Sequence, residues 1–278
     1  MQGKSPQVDP EKALEKEKDL ERRLKVFDSA VVAFSGGVDS TYLLYKAVEV
    51  IGREEVLALT VDSELTALDE AKTAEEVAGN IKAGHKFLKL HLLLDPELAS
   101  NSPERCYICK KQIYQEMLRL AEENGYKAVL DGSNADDTGQ YRPGLRALEE
   151  LNVHSPLLEA GLGKEEIRYL SRQVGLGTWK KPSAACLASR LPYGEKITLE
   201  KLEKIAAAEK YLRQIGIGSN LRVRCHGNLA RIEVDSDSFG LLLGRRAEIM
   251  EKLRELGFVY VTLDLGGFQS GSMDHSLG

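Results

Sequence analysis

The chain has no apolar run approaching the ~20 residues that cross a bilayer. Its first residues are polar, rich in Lys and Glu, and lack the apolar core of a secretion signal. The expectation is a cytoplasmic protein with no membrane partner. Cysteine is scarce, four in 278 residues. In that compartment four cysteines read as thiols or metal ligands rather than disulfides. The five histidines show no metal-ligand spacing, and His226 reads as a turn residue. A net charge of -5 gives no general attraction to nucleic acid and counts against it as a partner. Internal repeats and low-complexity segments are absent as well. What remains, 42% hydrophobic and 29% charged residues, is the composition of a globular protein with room for one large domain or a medium and a small one.

One further absence is informative. No Gly-x4-Gly-Lys-Ser/Thr occurs, since Gly163-Lys164 is followed by Glu165, so a loop that serves γ-phosphate cleavage is excluded. Another phosphate motif is present. Four apolar residues, Val31 to Phe34, read as a strand buried on both faces. They run into Ser35-Gly36-Gly37-Val38-Asp39-Ser40, and a helix follows over 40–50. Gly36 and Gly37 let the backbone approach a ligand, and the helix aims its free N–H groups at the turn. Ser35, Ser40 and Thr41 add hydroxyls, and Asp39 is placed to hold a divalent cation against phosphate oxygens. A bare two-glycine turn is as often structural, but the full string resembles the PP-loop of ATP pyrophosphatases, which cleave ATP between its α and β phosphates.

Strands and helices alternate through the next 150 residues. Strands are expected over 55–61, 86–93 and 126–130, with a fifth near 153–158. Helices are expected over 11–27, with Leu14, Leu20, Leu24 and Phe27 as its apolar stripe, over 65–80, from Ser102-Pro103, and from Gly163 to near Gly175. This is an α/β domain built on a doubly wound parallel sheet, residues 10–195. Ligands of such sheets sit beyond the carboxyl ends of the strands, which puts Asp62 and Ser63 beside the glycine turn. The alternative, that they cap the next helix, is equally compatible with the turn chemistry. Residues 196–265 read as a second, smaller α+β domain: a helix over 198–215, a hairpin about His226-Gly227-Asn228, a helix over 239–256 and a strand over 258–263. Residues 1–9 and 266–278 read as flexible tails.

Cys106 and Cys109, at i and i+3 in the first turns of a helix, present both sulfurs on one face, and Arg105, Lys110 and Lys111 favour thiolate. Cys186 lies in an aperiodic segment between Lys180-Lys181 and Arg190. Two small buried residues would also explain the pair, but Cys-x2-Cys is a familiar metal spacing and favours the other reading. A structural zinc wants four ligands, and the fourth cysteine, Cys225, shares its strand alternation with Leu221 and Val223 and points to the core. Three thiols and an open position suit an iron–sulfur cluster, with zinc as the second choice. Arg222 and Arg224 alternate with those apolar residues, and Arg231, Glu233 and Asp235 do so on the partner strand. The hairpin therefore offers either a face for phosphate or carboxylate or ordinary cross-strand ion pairs.

Five strings occur in order: Ser35 to Ser40, Gly132-Ser133-Asn134-Ala135-Asp136-Asp137, Tyr141-Arg142-Pro143-Gly144, Lys181 to Arg190, and Arg222-Val223-Arg224. Over about residues 12–265 the chain resembles the LarE family of ATP-dependent sulfur transferases, which help build the nickel-pincer nucleotide cofactor. The resemblance implies ATP at Ser35–Ser40, Asp62, Ser63, Gly132 and Asn134, with Mg²⁺ near Asp39. It implies a pyridinium dicarboxylate mononucleotide as substrate, adenylated and then converted to a thiocarboxylate. In one branch the residue matching Cys186 surrenders its own sulfur. In the other, three cysteines hold a 4Fe–4S cluster that carries sulfide, and Cys106, Cys109 and Cys186 match that branch. Arg222, Arg224 and Glu233 fall in the substrate or metal pocket of the second region. A sulfide donor and a closed homo-oligomer are further implications. A tRNA thiolase would need a basic RNA surface. An amide-forming ligase would need an ammonia source, and would leave Cys186 without a role.

Overall fold

The structure, a computed structural model, describes residues 8–66, 68–139, 143–182, 186–218 and 220–269. In chain order its elements begin with α1 (Pro10–Leu24), β1 (Ala30–Ala33), α2 (Val38–Ile51), β2 (Val56–Asp62), α3 (Leu68–Ile81), β3 (Gly84–Lys89), α4 (Pro96–Ala99), α5 (Arg105–Glu123) and β4 (Ala128–Leu130). There follow α6 (Pro143–Glu150), α7 (Pro156–Glu159), α8 (Lys164–Gln173), α9 (Leu199–Gln214), β5 (Leu221–His226), β6 (Leu229–Val234), α10 (Phe239–Gly244), α11 (Arg246–Glu255) and β7 (Tyr260–Leu263). Two compact units result, one of residues up to 90 with 106–184, the other of 91–105 with 185–278. The sequence reading divided the chain at 195; the units divide at 184–185. Residues 91–105 join the second unit through backbone bonds from Gly194 N to Asn101 O (2.9 Å) and from Ile197 N to Ala99 O (2.8 Å).

The first unit is built on a wholly parallel sheet in the order β3-β2-β1-β4. Alternation along its strands feeds two cores. Ala30 and Val32 of β1, Val56 and Ala58 of β2, and Ala128 and Leu130 of β4 pack with α1, α2 and α8 on one face. Val31, Leu57, Leu59 and Val129 pack with Tyr114, Met117 and Ala121 of α5 on the other. Strands covered on both sides need apolar residues at every position, which is why they read as continuous runs. β2 and β3 lie to one side of β1 and β4 to the other, so the sheet reverses its winding between β1 and β4. At that switch point the loops after β1 and β4 lie side by side.

Several local expectations need correction. The apolar stripe of α1 is Ala13, Leu20 and Leu24, all buried, while Leu14 is 46% exposed; it lies about 100° around the helix from Ala13. The fifth strand reduces to one bridge, Leu130 to His154, because Pro156 lacks a donor and opens α7 instead. α5 starts at Arg105 rather than at Ser102-Pro103, since Asn101, buried at φ 59°, bends the backbone just before it.

The second unit has a three-stranded sheet, β5-β6-β7, in which β5 and β6 are antiparallel and β6 and β7 parallel. Gly227, at φ 59°, makes the expected hairpin turn, and Thr198 caps α9. The single helix expected over 239–256 is two, α10 and α11, parted at Arg245 after Gly244, a residue that weakens helices. The expected tail is ordered at its start, where Phe268 N donates to Val234 O (3.0 Å). Residues 1–7 and 270–278 of the tails, and residues 183–185 before Cys186, lie outside the described residues. No helix among the described residues is long and apolar enough to cross a membrane.

One buried cation fastens α1 to α2. Lys46, 3% exposed, has its ammonium 2.6 Å from Glu21, 2.6 Å from Glu49 and 3.4 Å from Glu17, while Tyr42 donates to Glu17 at 2.6 Å. Burial works against the charged ammonium, but the bonds to Glu21 and Glu49 outweigh it and hold the Lys46 pKa above its ordinary value. Lys46→Met leaves those carboxylates without their counter-charge and should cost about 3 kcal/mol in urea unfolding at neutral pH. A raised lysine pKa contributes fully below the ordinary value of 10.5 and is lost only as pH rises past it. The difference between the two proteins should therefore be constant from pH 6 to 9.

Candidate active site

In the first unit the turn after β1 is closed by its own hydroxyls. Ser40 Oγ accepts from Ser35 N (3.3 Å) and lies 3.1 Å from Ser35 Oγ, which in turn accepts from Gly37 N (3.3 Å). Gly36 sits at φ 65°, and a Cβ there would come within 3.0 Å of the Ala74 Cα in α3. Only glycine meets both demands. From the β4 side, Gly132 presses on the same turn: a Cβ on it would stand 3.2 Å from both N and Cα of Ser40. The segments singled out at Ser35–Ser40 and Gly132 are thus in contact. Lys181 reaches the turn as well, donating to Gly36 O at 3.0 Å.

Asp39 follows on the second residue of α2. Its Oδ2 lies 3.6 Å from Lys164 Nζ, and its Oδ1 is buried with no hydrogen-bond partner among the described residues. Burial pushes the Asp39 carboxyl above its ordinary value; Lys164 pulls it down and Asp137 pushes it up again. A carboxylate oxygen left without a donor is what a metal ligand looks like before metal and phosphate arrive. Asn134, 3% exposed, shapes the loop after β4: its Oδ1 accepts from Asp136 N (3.0 Å), and its N donates to Asp137 (3.1 Å). Asp136 accepts from Lys164 N (2.8 Å), which fixes the start of α8. Asp62 ends β2 and Ser63 lies in the turn beyond it, where Ser63 Oγ is 3.2 Å from Thr66 Oγ1. The helix after them begins at Leu68, so capping it is not their work.

Sequence reasoning missed Lys164, Lys181 and Asp131. Lys164 was weighed only as half of a motif that is absent; its signal was its place at the first position of a helix. Asp131 is buried among Tyr114, which donates to its Oδ2, Lys110 (3.5 Å) and Ser133 N (2.7 Å). Burial alone would raise its carboxyl, yet Lys110 and the Ser133 and Tyr114 donors hold it below the ordinary value. It thereby ties α5, which carries Cys106 and Cys109, to the loop beside Ser40. Cys106 is exposed and Cys109 half-buried.

In the second unit Cys186 is exposed and opens a 3-10 turn, Leu187–Arg190. Its carbonyl accepts from Ser189 N (3.0 Å), Ser189 Oγ (2.7 Å) and Arg190 Nη1 (3.2 Å). Arg190 is paired with the buried Glu209 at 2.9 Å. Arg222 and Arg224 do not stand on a solvated face: they are 9% and 4% exposed, and Glu233 is 0% exposed. Arg224 donates twice to Glu233 (2.9 and 2.8 Å) and once to Ser189 O (2.8 Å). Burial pushes the Arg222 guanidinium down to about 10, and Arg190 and Arg224 push the same way against Glu209. Positive charge is thus crowded out of water here, an arrangement suited to an anion. Cys225 is buried as expected, and burial raises its thiol. Among the described residues, no group of three His, Cys, Asp or Glu is gathered to hold a metal ion.

Comparison with known proteins places these features in context. A family model described as NAD synthase matches residues 16–97. Over 262 residues, 94% of this chain and 95% of the relative, the sequence is 40% identical to the pyridinium-3,5-bisthiocarboxylic acid mononucleotide synthase of Lactiplantibacillus plantarum. An uncharacterized protein of Synechocystis sp. is 40% identical over 90% of this chain and 93% of its own length. Another, from Methanocaldococcus jannaschii, is 32% identical over 86% of this chain and 90% of its own.

The strained charge of Asp39 can be measured. Its folded pKa lies above the ordinary 3.8, so the ionised form destabilises the fold at neutral pH and the penalty is relieved as pH falls through the folded value. Asp39→Asn should therefore melt higher than wild type at pH 7, and the gap should narrow by pH 4. A gap that widens on acidification would contradict the geometry.

Proposed function

Because the chain belongs to the LarE family of ATP-dependent sulfur transferases, we propose that it adenylates a carboxylate of pyridinium-3,5-dicarboxylate mononucleotide and replaces it with a thiocarboxylate. The observation that carries this reading is the match across nearly the whole chain, which spans both the glycine turn and the buried arginines. A carboxylate oxygen attacks the α-phosphorus of ATP, the α–β P–O bond breaks, and pyrophosphate leaves. Sulfide then attacks the acyl carbon, and AMP leaves with the electron pair of the C–O bond.

The chain's own residues supply the positioning. Backbone N–H groups at the start of α2 face the phosphates, while Lys164 and Lys181 supply positive charge at the edges of the turn. The unpartnered Oδ1 of Asp39 fits a Mg²⁺ ligand, and the ion would neutralise charge on the departing pyrophosphate. Asp62, Ser63, Gly132 and Asn134 belong to the nucleotide-binding set. Arg222 and Arg224, with Glu233 holding Arg224 in place, take the substrate's phosphate or carboxylate.

For sulfur, three thiols and no fourth protein ligand are the donor set of a 4Fe–4S cluster with one open iron. Among the described residues no group of three His, Cys, Asp or Glu is gathered to hold a metal ion, and no step is routed through a cluster. Cys106, Cys109 and Cys186 are the sulfur carriers in this reading, fed by a sulfide donor in a homo-oligomeric enzyme; sacrifice of the Cys186 sulfur is the alternative.

Two experiments test the proposal. Arg222→Ala should lower the melting temperature, because it gives up the bond to Leu221 O and the stack on Phe268, while the protein stays folded. It should weaken the pyridinium mononucleotide by about tenfold or more and leave ATP binding unchanged; equal loss for both ligands would return Arg222 to a structural role. In anaerobic transfer assays, Cys106→Ala, Cys109→Ala and Cys186→Ala should each abolish repeated turnover and iron retention while pyrophosphate release persists. If only Cys186→Ala stops transfer, and wild-type protein loses the mass of hydrogen sulfide after one turnover, the sulfur is sacrificed.

A further inference from the structure

The first unit holds a groove of about 840 Å³ between α2, α3 and the segment 174–181. None of Ser35 to Ser40 lines it, although Thr41 and Lys181, which flank the nucleotide turn, do; the groove runs away from that turn along α2 and α3. Its wall has a consistent chemistry. Lys82, Lys180 and Lys181 line it, and no carboxylate does among the described residues, in a chain whose net charge is -5. Thr41 and Thr178 also belong to the wall. Both are buried, at 0% and 6% exposure, and neither hydroxyl has a hydrogen-bond partner among the described residues. Buried hydroxyls are normally satisfied, so two in one wall point to an absent partner that can accept. The rest of the lining is mostly apolar or aromatic, with Val77, Ile81, Leu176 and Tyr45, and adds the polar Thr73 and Asn80. The volume falls within the range of small-molecule sites.

We propose that this groove is a second binding site, for a phosphoryl group carried on a small apolar or aromatic body. Three ammoniums and two hydroxyls, spread over three elements, suit the three oxygens of a phosphoryl group better than the two of a carboxylate. The apolar wall takes the body. Lys181 belongs both to this wall and to the nucleotide turn, through its bond to Gly36 O at 3.0 Å. The site therefore has a direct route to the turn that holds ATP.

The chain's single tryptophan is Trp179. It stands between Thr178 and Lys180, with the Lys180 ammonium 4.8 Å from its ring centroid, and so reports on the groove. The experiment uses the full-length protein with the nucleotide site saturated by ATP, and phenyl phosphate as the probe at millimolar concentrations. Tryptophan emission should change saturably with phenyl phosphate and not with phenol. Calorimetry, which does not depend on the Lys180–Trp179 contact, should show binding at least about tenfold weaker in Lys82→Glu and in Lys180→Glu. Both lysines are exposed, so each variant should melt like wild type. Three outcomes would overturn the proposal: competition between phenyl phosphate and ATP for one site, equal affinity in wild type and both variants, or no saturable binding.

Discussion

The whole arrangement rests on backbone brought against backbone where the winding of the sheet reverses. Gly36 lies under α3, and Gly132 lies against Ser40, each with no room for a Cβ. Those contacts set the spacing of the loops after β1 and β4, and through it the position of Asp39, Asn134 and the start of α8. The strands beneath can be rigid because their alternate residues serve two separate cores. Apolar packing supplies the stability, and the glycines convert it into a gap of defined width. Polar groups then fit the gap, and one of them, Asp39 Oδ1, is buried there with no partner among the described residues.

Much of the first unit was legible because its signals are local. A run of apolar residues, two glycines and an amphipathic helix describe β1, the turn and α2 without reference to the rest of the chain. Ser35, Gly36 and Asp39 could be named for the same reason, while Gly132 came only from the resemblance. Lys164 could not, since its partner Asp39 is 125 positions away and only the packing of α8 on α2 joins them. Asp131 was hidden similarly: its role comes from Tyr114 on a helix across the sheet. The errors at Ser102-Pro103 and at the expected fifth strand share a cause. In each, a residue with special backbone demands, Asn101 or Pro156, overrode an otherwise reasonable local pattern.

The second unit was harder to read because alternation failed there. On β5 both the apolar and the charged residues are buried, so a period of two described the chemistry but not the exposure. Arg190, Arg222 and Arg224 are packed inside together with Glu209 and Glu233, and the more exposed Arg213 and Arg231 reach the same two carboxylates from outside. A buried guanidinium needs its carboxylate, and that pairing between β5 and β6 is a contact that the pattern of one strand does not show.

The grip on the Cys186 carbonyl has a consequence of its own. Three donors, Ser189 N, Ser189 Oγ and Arg190 Nη1, converge on that one oxygen, and a main-chain oxygen is the same whatever side chain its residue bears. The course of the chain at this point is thereby insulated from chemistry at the sulfur. Position 186 can exchange a free thiol for a bound one while the turn that presents it keeps its shape. In the reading proposed above, a sulfur that changes its state would sit on a turn that does not register the change.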